Sequence, residues 1–314
     1  MSATQCGPIP AGSVARPPPA FAPSRPTVAV VIVTYDSARV LDRCLAALAS
    51  QTLQPDLIVV VDNCSPHPAY LSSIPRTQQF RVLLGTSNDG FCRANNTGFR
   101  LASACKYVLF LNPDAFLGER FLEQAVACME LPENARVGCI TGTLLGFDIE
   151  RGCPTGRTDS AGIFQSWFGR WQDRGRGEPW RGAGQAEPED VPAICGALML
   201  CRTASLHATA LSEGEVFDSG FFMYKEDIEL SIRLRAAGWR LLYVPQLLCH
   251  HGRGWRGRHT VSFRARYLSA RNELRVCRRN GLRGLPYSLL KYAYVILLEW
   301  PLAALRRGLR DPMR

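Results

Sequence analysis

Buried β-branched runs alternating with amphipathic helical stretches predict an α/β chain: a mostly parallel sheet flanked by helices, with a helical C-terminal extension. Three observations carry this expectation. Thr27-Val28-Ala29-Val30-Val31-Ile32-Val33 is a continuous apolar run of the kind found in strands covered on both faces. Leu57–Val61, Phe80–Leu84 and Tyr107–Leu111 repeat that pattern, with helical stretches between them. Polar residues then collect just past the strand ends, in Thr34-Tyr35-Asp36, Asp62-Asn63 and Asn112-Pro113-Asp114. In open α/β sheets the ligand crevice lies at those carboxyl ends.

The elements follow in order. Residues 1–26 are rich in Pro, Ala and Ser, including Pro17-Pro18-Pro19, and read as a disordered leader. After the first strand, Val40, Leu41, Leu45 and Leu48 define one side of a helix over 37–50, with Asp36 or Ser37 as its N-cap. A helix over 92–104 joins the third strand to the fourth, and another is expected near 118–129. Residues 146–192 are rich in Gly and Arg and hold three of the six tryptophans, so they read as a long excursion over the site. Strand character returns at Ala193–Cys201 and at Arg240–Val244. The expected division is a leader over 1–26, a main domain over 27–270 and a basic amphipathic helical tail over 271–314.

The net charge of +10 is informative once located. Residues 251–314 hold 15 Lys/Arg against 3 Asp/Glu, whereas residues 1–250 hold 22 against 24. The basic excess belongs to the tail and suits anionic lipid headgroups; no nucleic-acid motif accompanies it, so nucleic acid is not an expected partner. The 12 cysteines form no C-x-x-C pair and several lie in apolar runs, the usage of a reduced cytoplasmic protein. An apolar stretch of signal-peptide length is missing from the N-terminus, which disfavours secretion.

Phe221-Phe222-Met223-Tyr224-Lys225-Glu226-Asp227 is the richest segment for chemistry, because an apolar and aromatic run ends in an acidic pair. Such carboxylates can be partly buried yet face a cleft, where one can serve as a general base. They also suit a helix N-terminus, whose dipole favours acidic side chains. Asp114, at a strand end, offers a hard oxygen ligand for Mg²⁺ or Mn²⁺, or else an N-cap for the helix that follows. His250 and His251 are adjacent and cannot both point the same way on a strand, so one faces the site. The Asn88-Asp89-Gly90-Phe91 loop leads into a helix start able to present free N–H groups to phosphate.

The ordered set of motifs resembles the family 2 glycosyltransferases of GT-A fold, in a bacterial, rhamnosyltransferase-like branch. The residues carrying the resemblance include Val31-Ile32-Val33-Thr34-Tyr35, Val60-Val61-Asp62-Asn63-Cys64-Ser65 and Asn88 through Gly98. They continue with Leu111-Asn112-Pro113-Asp114, Asp159-Ser160-Ala161-Gly162, Gly196 through Arg202 and Phe217 through Asp227. The resemblance spans about residues 27–280 and implies inverting transfer of a sugar from a nucleotide-diphosphate sugar to a hydroxyl of a glycan or lipid-linked acceptor, in cell-surface polysaccharide assembly. It implies Thr34, Tyr35 and Asp62, with Asn63 and Asn112, around the nucleotide, and Asn95 and Asn96 near the diphosphate-sugar. Asp114 and one of His250 or His251 would hold the divalent cation. Asp227 would be the base and Glu226 its supporting neighbour. Asp36 departs from the family, which often has Asn there; it is expected to turn into its helix cap, away from the diphosphate.

Two rival functions differ in class. A sugar-nucleotide nucleotidyltransferase usually needs a Gly-rich basic loop after the first strand, and Thr34-Tyr35-Asp36-Ser37-Ala38-Arg39 contains no glycine. A catalytically silent binding subunit would not need Asp114 and Asp227. In the tail, Ser288, Lys291, Glu299, Arg306 and Arg310 share an arc of about 100° on a helical projection. The segment reads as an interfacial helix on the inner face of the cytoplasmic membrane, or as a helix packed on the core.

Overall fold

The computed structural model describes residues 25–75, 77–252 and 261–301; residues 1–24 of the expected N-terminal segment and 302–314 of the tail lie outside them. The strands are β1 (Val28–Thr34), β2 (Leu57–Asp62), β3 (Phe80–Leu84), β4 (Tyr107–Leu111), β5 (Ala115–Leu117), β6 (Val137–Asp148), β7 (Cys153–Ser160), β8 (Ile163–Gln165), β9 (Trp171–Asp173), β10 (Glu189–Asp190), β11 (Leu198–Arg202) and β12 (Arg240–His251). The helices are α1 (Leu41–Ala49), α2 (Gly90–Ala102), α3 (Phe121–Glu130), α4 (Thr203–Thr209), α5 (Glu226–Ala236), α6 (Phe263–Asn280) and α7 (Leu285–Tyr294).

Among the described residues the central sheet runs β10-β12-β6-β11-β4-β1-β2-β3, with β5 and β7 attached to β12 and β6. β3, β2, β1 and β4 are parallel neighbours, and β6 and β12 form a parallel pair. β11 lies antiparallel between β4 and β6. The fold is therefore the expected α/β sheet with helical layers and helices at the C-terminal end. Its core is the apolar face of β1, β2 and β4, whose residues are almost wholly buried. Gly98 lets α2 settle onto this sheet, since a Cβ there would stand 2.4 Å from Cγ1 of Val31.

Several boundaries differ from the sequence expectation for physical reasons. α1 begins at Leu41 and its N-cap, Val40, makes no side-chain cap bond. Ser37 to Val40 form a turn instead, and Asp36 has φ of 51° with its N–H given to Ser65 Oγ at 2.8 Å. Neither Asp36 nor Ser37 caps the helix as expected. Asp114 is likewise no helix cap, because β5 intervenes before α3. The strand expected to end at Val244 continues to His251. A register shift between Val244 and Leu248 accommodates Pro245, which has no N–H for a regular ladder. Residues 146–192 carry β7 to β10, so the expected excursion is built largely from short antiparallel pairs. The expected boundary at residue 270 falls inside α6.

Candidate functional site

A cleft of about 920 Å³ opens at the carboxyl ends of β1, β2 and β4, within the size range of ligand sites. Its walls include Tyr35, Asp36, Arg39, Asn63, Asn88, Asn112 and Asp114 from the strand ends, Phe222 to Tyr224 from the loop before α5, and Arg264 and Leu268 from α6.

The floor beside β1 and β2 is a closed hydrogen-bond knot. Asp62 is 2% exposed and accepts from Thr34 Oγ1 at 3.1 Å, Ser65 N at 2.9 Å, Ser65 Oγ at 2.5 Å and Tyr70 OH at 2.9 Å. Tyr35, half exposed, follows Thr34 in the chain and lines the cleft. Asn63 Nδ2 donates to Asn88 Oδ1 at 2.9 Å while Asn63 Oδ1 accepts from Asp89 N at 3.0 Å, which ties β2 to the loop entering α2.

Asn95 and Asn96 do not line the cleft. Asn95 is buried and donates to Phe91 O at 2.9 Å. Asn96 is buried too: its Oδ1 accepts from Val216 N and Phe217 N, and its Nδ2 donates to Phe217 O at 2.8 Å. In place of the expected position at the diphosphate-sugar, Asn96 clamps the chain that leads to the acidic pair.

On the opposite side the two histidines separate. β12 alternates its side chains, so His250 turns to Phe147 with ring centroids 6.1 Å apart, while His251 is 3% exposed and faces the sheet end. The pairing of His251 with Ala115 of β5 brings its Nε2 to 3.4 Å from Oδ1 of Asp114. Its Nδ1 lies 2.7 Å from Oδ2 of Asp159, a buried residue of β7. Burial alone would depress the His251 pKa, but the charges of Asp114 and Asp159 and its hydrogen bonds with both outweigh it and raise the value to about 9. Burial opposes ionisation of Asp114 as well, yet His251 holds its carboxyl below the usual range. Asp159 was not legible from sequence as a partner of His251, because no spacing rule connects it to a histidine 92 positions away.

Asp114 and His251 suit a divalent cation in donor chemistry, and Asp159 holds the far nitrogen of the imidazole as carboxylates do behind metal-binding histidines. Among the described residues no group of three or more His, Cys, Asp or Glu side chains forms a metal cage. A cation here would complete its shell with diphosphate oxygens and water, the usual habit of Mg²⁺.

The acidic pair starts α5 behind the cleft wall of Phe222 to Tyr224. Tyr224 and Lys225 have φ of 72° and 73°, a left-handed conformation that is strained for side-chain-bearing residues and clusters at functional sites. Two neighbours hold the loop there. Phe91 N donates to Phe222 O at 2.7 Å, and Asn272 Nδ2 of α6 donates to the carbonyls of Met223 and Tyr224 at 2.9 Å each. Gly90 permits the first contact, since a Cβ there would fall 2.4 Å from Phe222 O.

Asp227 Oδ2 accepts from Gly196 N at 3.0 Å and Oδ1 from Ile228 N at 2.8 Å. Burial raises its pKa despite these donors. Glu226 is buried with Oε2 unpartnered; burial first and the Asp227 charge second raise its pKa to about 8, so it is mostly protonated at neutral pH. Glu229 adds no free charge, because Arg233 pairs with it at 2.7 Å.

Residues 29–151 match the family model described as Glycosyl transferase family 2. The chain is 28% identical over 255 residues to an N-acetylglucosaminyl-diphospho-decaprenol L-rhamnosyltransferase of Mycobacterium tuberculosis, covering 74% of this chain and 78% of that protein. Among solved structures, GalNAc-T7 with UDP, GalNAc and Mn²⁺ superposes with a TM-score of 0.60 at 19% identity, covering 82% of this chain and 48% of that one. The chain thus spans about half the length of that structure. TarS 1-349 of S. aureus in complex with UDP-GlcNAc superposes with a TM-score of 0.53 at 18% identity, covering 86% of this chain and 71% of that one.

Proposed function

We propose that this family 2 glycosyltransferase, rhamnosyltransferase-like in sequence, moves a sugar from a nucleotide-diphosphate sugar to a hydroxyl of a lipid-linked saccharide, with inversion and with a divalent cation, at the cytoplasmic face of the membrane. The observation that carries the reading is the convergence on one strand-end cleft of Tyr35 and Asn63 on one side and Asp114 on the other, with the Glu226-Asp227 pair behind its wall. The lipid-linked acceptor class is taken from the mycobacterial relative, whose name specifies N-acetylglucosaminyl-diphospho-decaprenol.

The nucleoside stacks over Tyr35 above the Asp62 knot, which keeps the floor rigid through Thr34, Ser65 and Tyr70. Asp114 and His251 would hold the cation, which would supply positive charge against that developing on the leaving diphosphate. Asp159 keeps His251 Nδ1 occupied so that Nε2 is turned to Asp114. His250, edge-on to Phe147, takes no part.

Asp227 removes the acceptor proton as the hydroxyl attacks the anomeric carbon. Its basicity comes from burial, and protonated Glu226 places no second negative charge beside it at neutral pH. The acceptor must pass Phe222 to Tyr224 to reach it, and the strained backbone at Tyr224 and Lys225 is the place for that movement. Transfer assays with a panel of nucleotide sugars and a lipid-diphosphate saccharide, with and without Mg²⁺, test the proposal. Hydrolysis or transfer with no donor in the panel, together with no thermal stabilisation by any nucleotide diphosphate, would defeat it.

A further inference from the structure

The C-terminal helix turns its charged residues inward, beside Val295 and Tyr292, which pack on Phe263 and Tyr267 of α6. α7 continues through a wider turn over Val295–Glu299, and its polar face looks inward. Ser288 is fully buried and its Oγ lies 3.1 Å from Cys277 Sγ. Lys291 pairs with Glu273 and donates to Ser269 Oγ at 3.2 Å, and Glu299 accepts from Arg266 Nε at 2.7 Å. The ion pairs therefore lie between α6 and the last helix. The apolar face looks outward: Leu290 is 73% exposed, Leu297 69% and Leu298 56%, with Leu289 and Tyr294 also exposed. At about 100° per residue, Leu290, Tyr294 and Leu297 form one stripe.

A second segment reaches this stripe. The loop at 166–170 packs on the start of α7, where a Cβ on Gly169 would fall 2.1 Å from Gly284 Cα. Phe168 meets Tyr287 with ring centroids 5.4 Å apart, and Trp167, 83% exposed, leans on Phe168. Exposed Arg170, Arg278 and Arg283 border the same region, and the sequence beyond residue 301 adds four arginines against one aspartate. Among the described residues no helix is long and apolar enough to cross a membrane.

We propose that this face, built from the outward stripe of α7 and the Trp167 loop, seats on an anionic lipid bilayer surface. A helix that buries its ion pairs and exposes five aliphatic and aromatic residues needs an apolar environment on its outer side, and the arginine border gives that environment a negative surface. An indole at the rim is the side chain suited to the headgroup level. The opposite side of α6, through Arg264, Ala265 and Leu268, lines the cleft. Seating therefore leaves only the two helices α7 and α6, about 20 Å in all, between the lipid and the cleft. The seat itself does not depend on the chemistry of transfer; only its use in presenting a lipid-linked acceptor rests on that reading.

The test is flotation of the full chain with phosphatidylcholine vesicles containing or lacking phosphatidylglycerol, alongside the variants L290S/L297S and W167A. The expected result is binding to anionic vesicles that falls about tenfold or more in L290S/L297S and several-fold in W167A. Trp fluorescence should also shift to the blue on binding in the parent but much less in W167A. Light scattering and nucleotide-diphosphate thermal shifts check that the variants remain folded. Equal vesicle binding by parent and L290S/L297S overturns the proposal. So does a parent that ignores anionic vesicles and is a dimer that L290S/L297S makes monomeric, because the stripe then seats a second copy. If vesicles bind as expected but no sugar transfer is found, the seat stands and the transfer reading fails.

Discussion

Replacing Asp159 by asparagine probes the centre of the site without touching a residue that reaches the cleft. The change keeps the side-chain shape and removes the charge from a carboxylate 1% exposed and 2.7 Å from His251 Nδ1, where water screens little. In the parent, burial works against protonation of His251, but Asp114 and Asp159 overcome it and raise the pKa from 6.5 to about 9. A histidine must give up its proton before it binds a cation. The parent's apparent Mg²⁺ affinity, measured with a nucleoside diphosphate present, should therefore climb between pH 6.5 and about 9. In Asp159→Asn the proton leaves at lower pH, so the affinity levels off at lower pH and changes less across this range. At pH 9 and above the orientation and basicity of the ring dominate the difference, and a lost carboxylate partner behind a metal-binding histidine costs about 10–100-fold, or roughly 1.4–2.8 kcal/mol. Titration calorimetry across this range, repeated in buffers of different ionisation enthalpy, reads both the affinity and the protons released. Superimposable affinities and proton counts for the two proteins would refute the assignment of Asp159 as the residue that positions His251.

Asp227→Asn should reduce transfer by about 10²–10⁴-fold while nucleotide-sugar affinity stays within about twofold, measured by turnover and by equilibrium binding; unchanged turnover removes Asp227 as the base. Glu226 has a folded pKa raised to about 8 from 4.5, so its contribution is present at low pH and is lost as pH rises through that window; Glu226→Gln should flatten the decline in urea-unfolding free energy between pH 5 and 8. Asn96→Ala should destabilise the fold by about 3 kcal/mol, because two buried N–H groups and a carbonyl lose their partner, yet leave donor affinity unchanged at permissive temperature; thermal denaturation and donor titration separate the two effects. A direct loss of donor affinity would return Asn96 to the cleft.

Much of the parallel half of the sheet was legible in sequence because β1, β2 and β4 are covered on both faces and so are apolar throughout; β3 is mostly apolar too but lies at the edge, largely exposed, against the expectation of a covered strand. The strand at Phe80–Leu84 has the same bounds in the structure, and that at Leu57 differs by one residue. The excursion over 146–192 was legible only as a departure from that pattern. Apart from β7 its strands are two or three residues long, and glycine-rich connections separate them, so alternation has no length in which to show. Pro245 hid the continuation of β12, since a bulge is set by the neighbouring strand and not by local preference. At the site, strand-end positions located the cleft. They did not separate Tyr35 and Asn63, which line it, from Thr34, Asp62, Asn95 and Asn96, which lie beneath or behind it. Burial of a polar side chain depends on partners distant in the chain, as with Asn96 and residues 216–219.

By itself the sequence determined the class of fold, the edge of the sheet where chemistry gathers and the residue types available there, because hydrophobic period and strand-end polarity are local properties of the chain. Tertiary structure alone decided which of two adjacent histidines meets Asp114, that Asp159 stands behind it, and that the last helix turns its charges inward and its leucines outward. Each of these is a matter of register between segments far apart in sequence. A one-residue slip of β12 would exchange His250 and His251, and a half turn of α7 would exchange its ion pairs for its leucines, with the local sequence unchanged in either case.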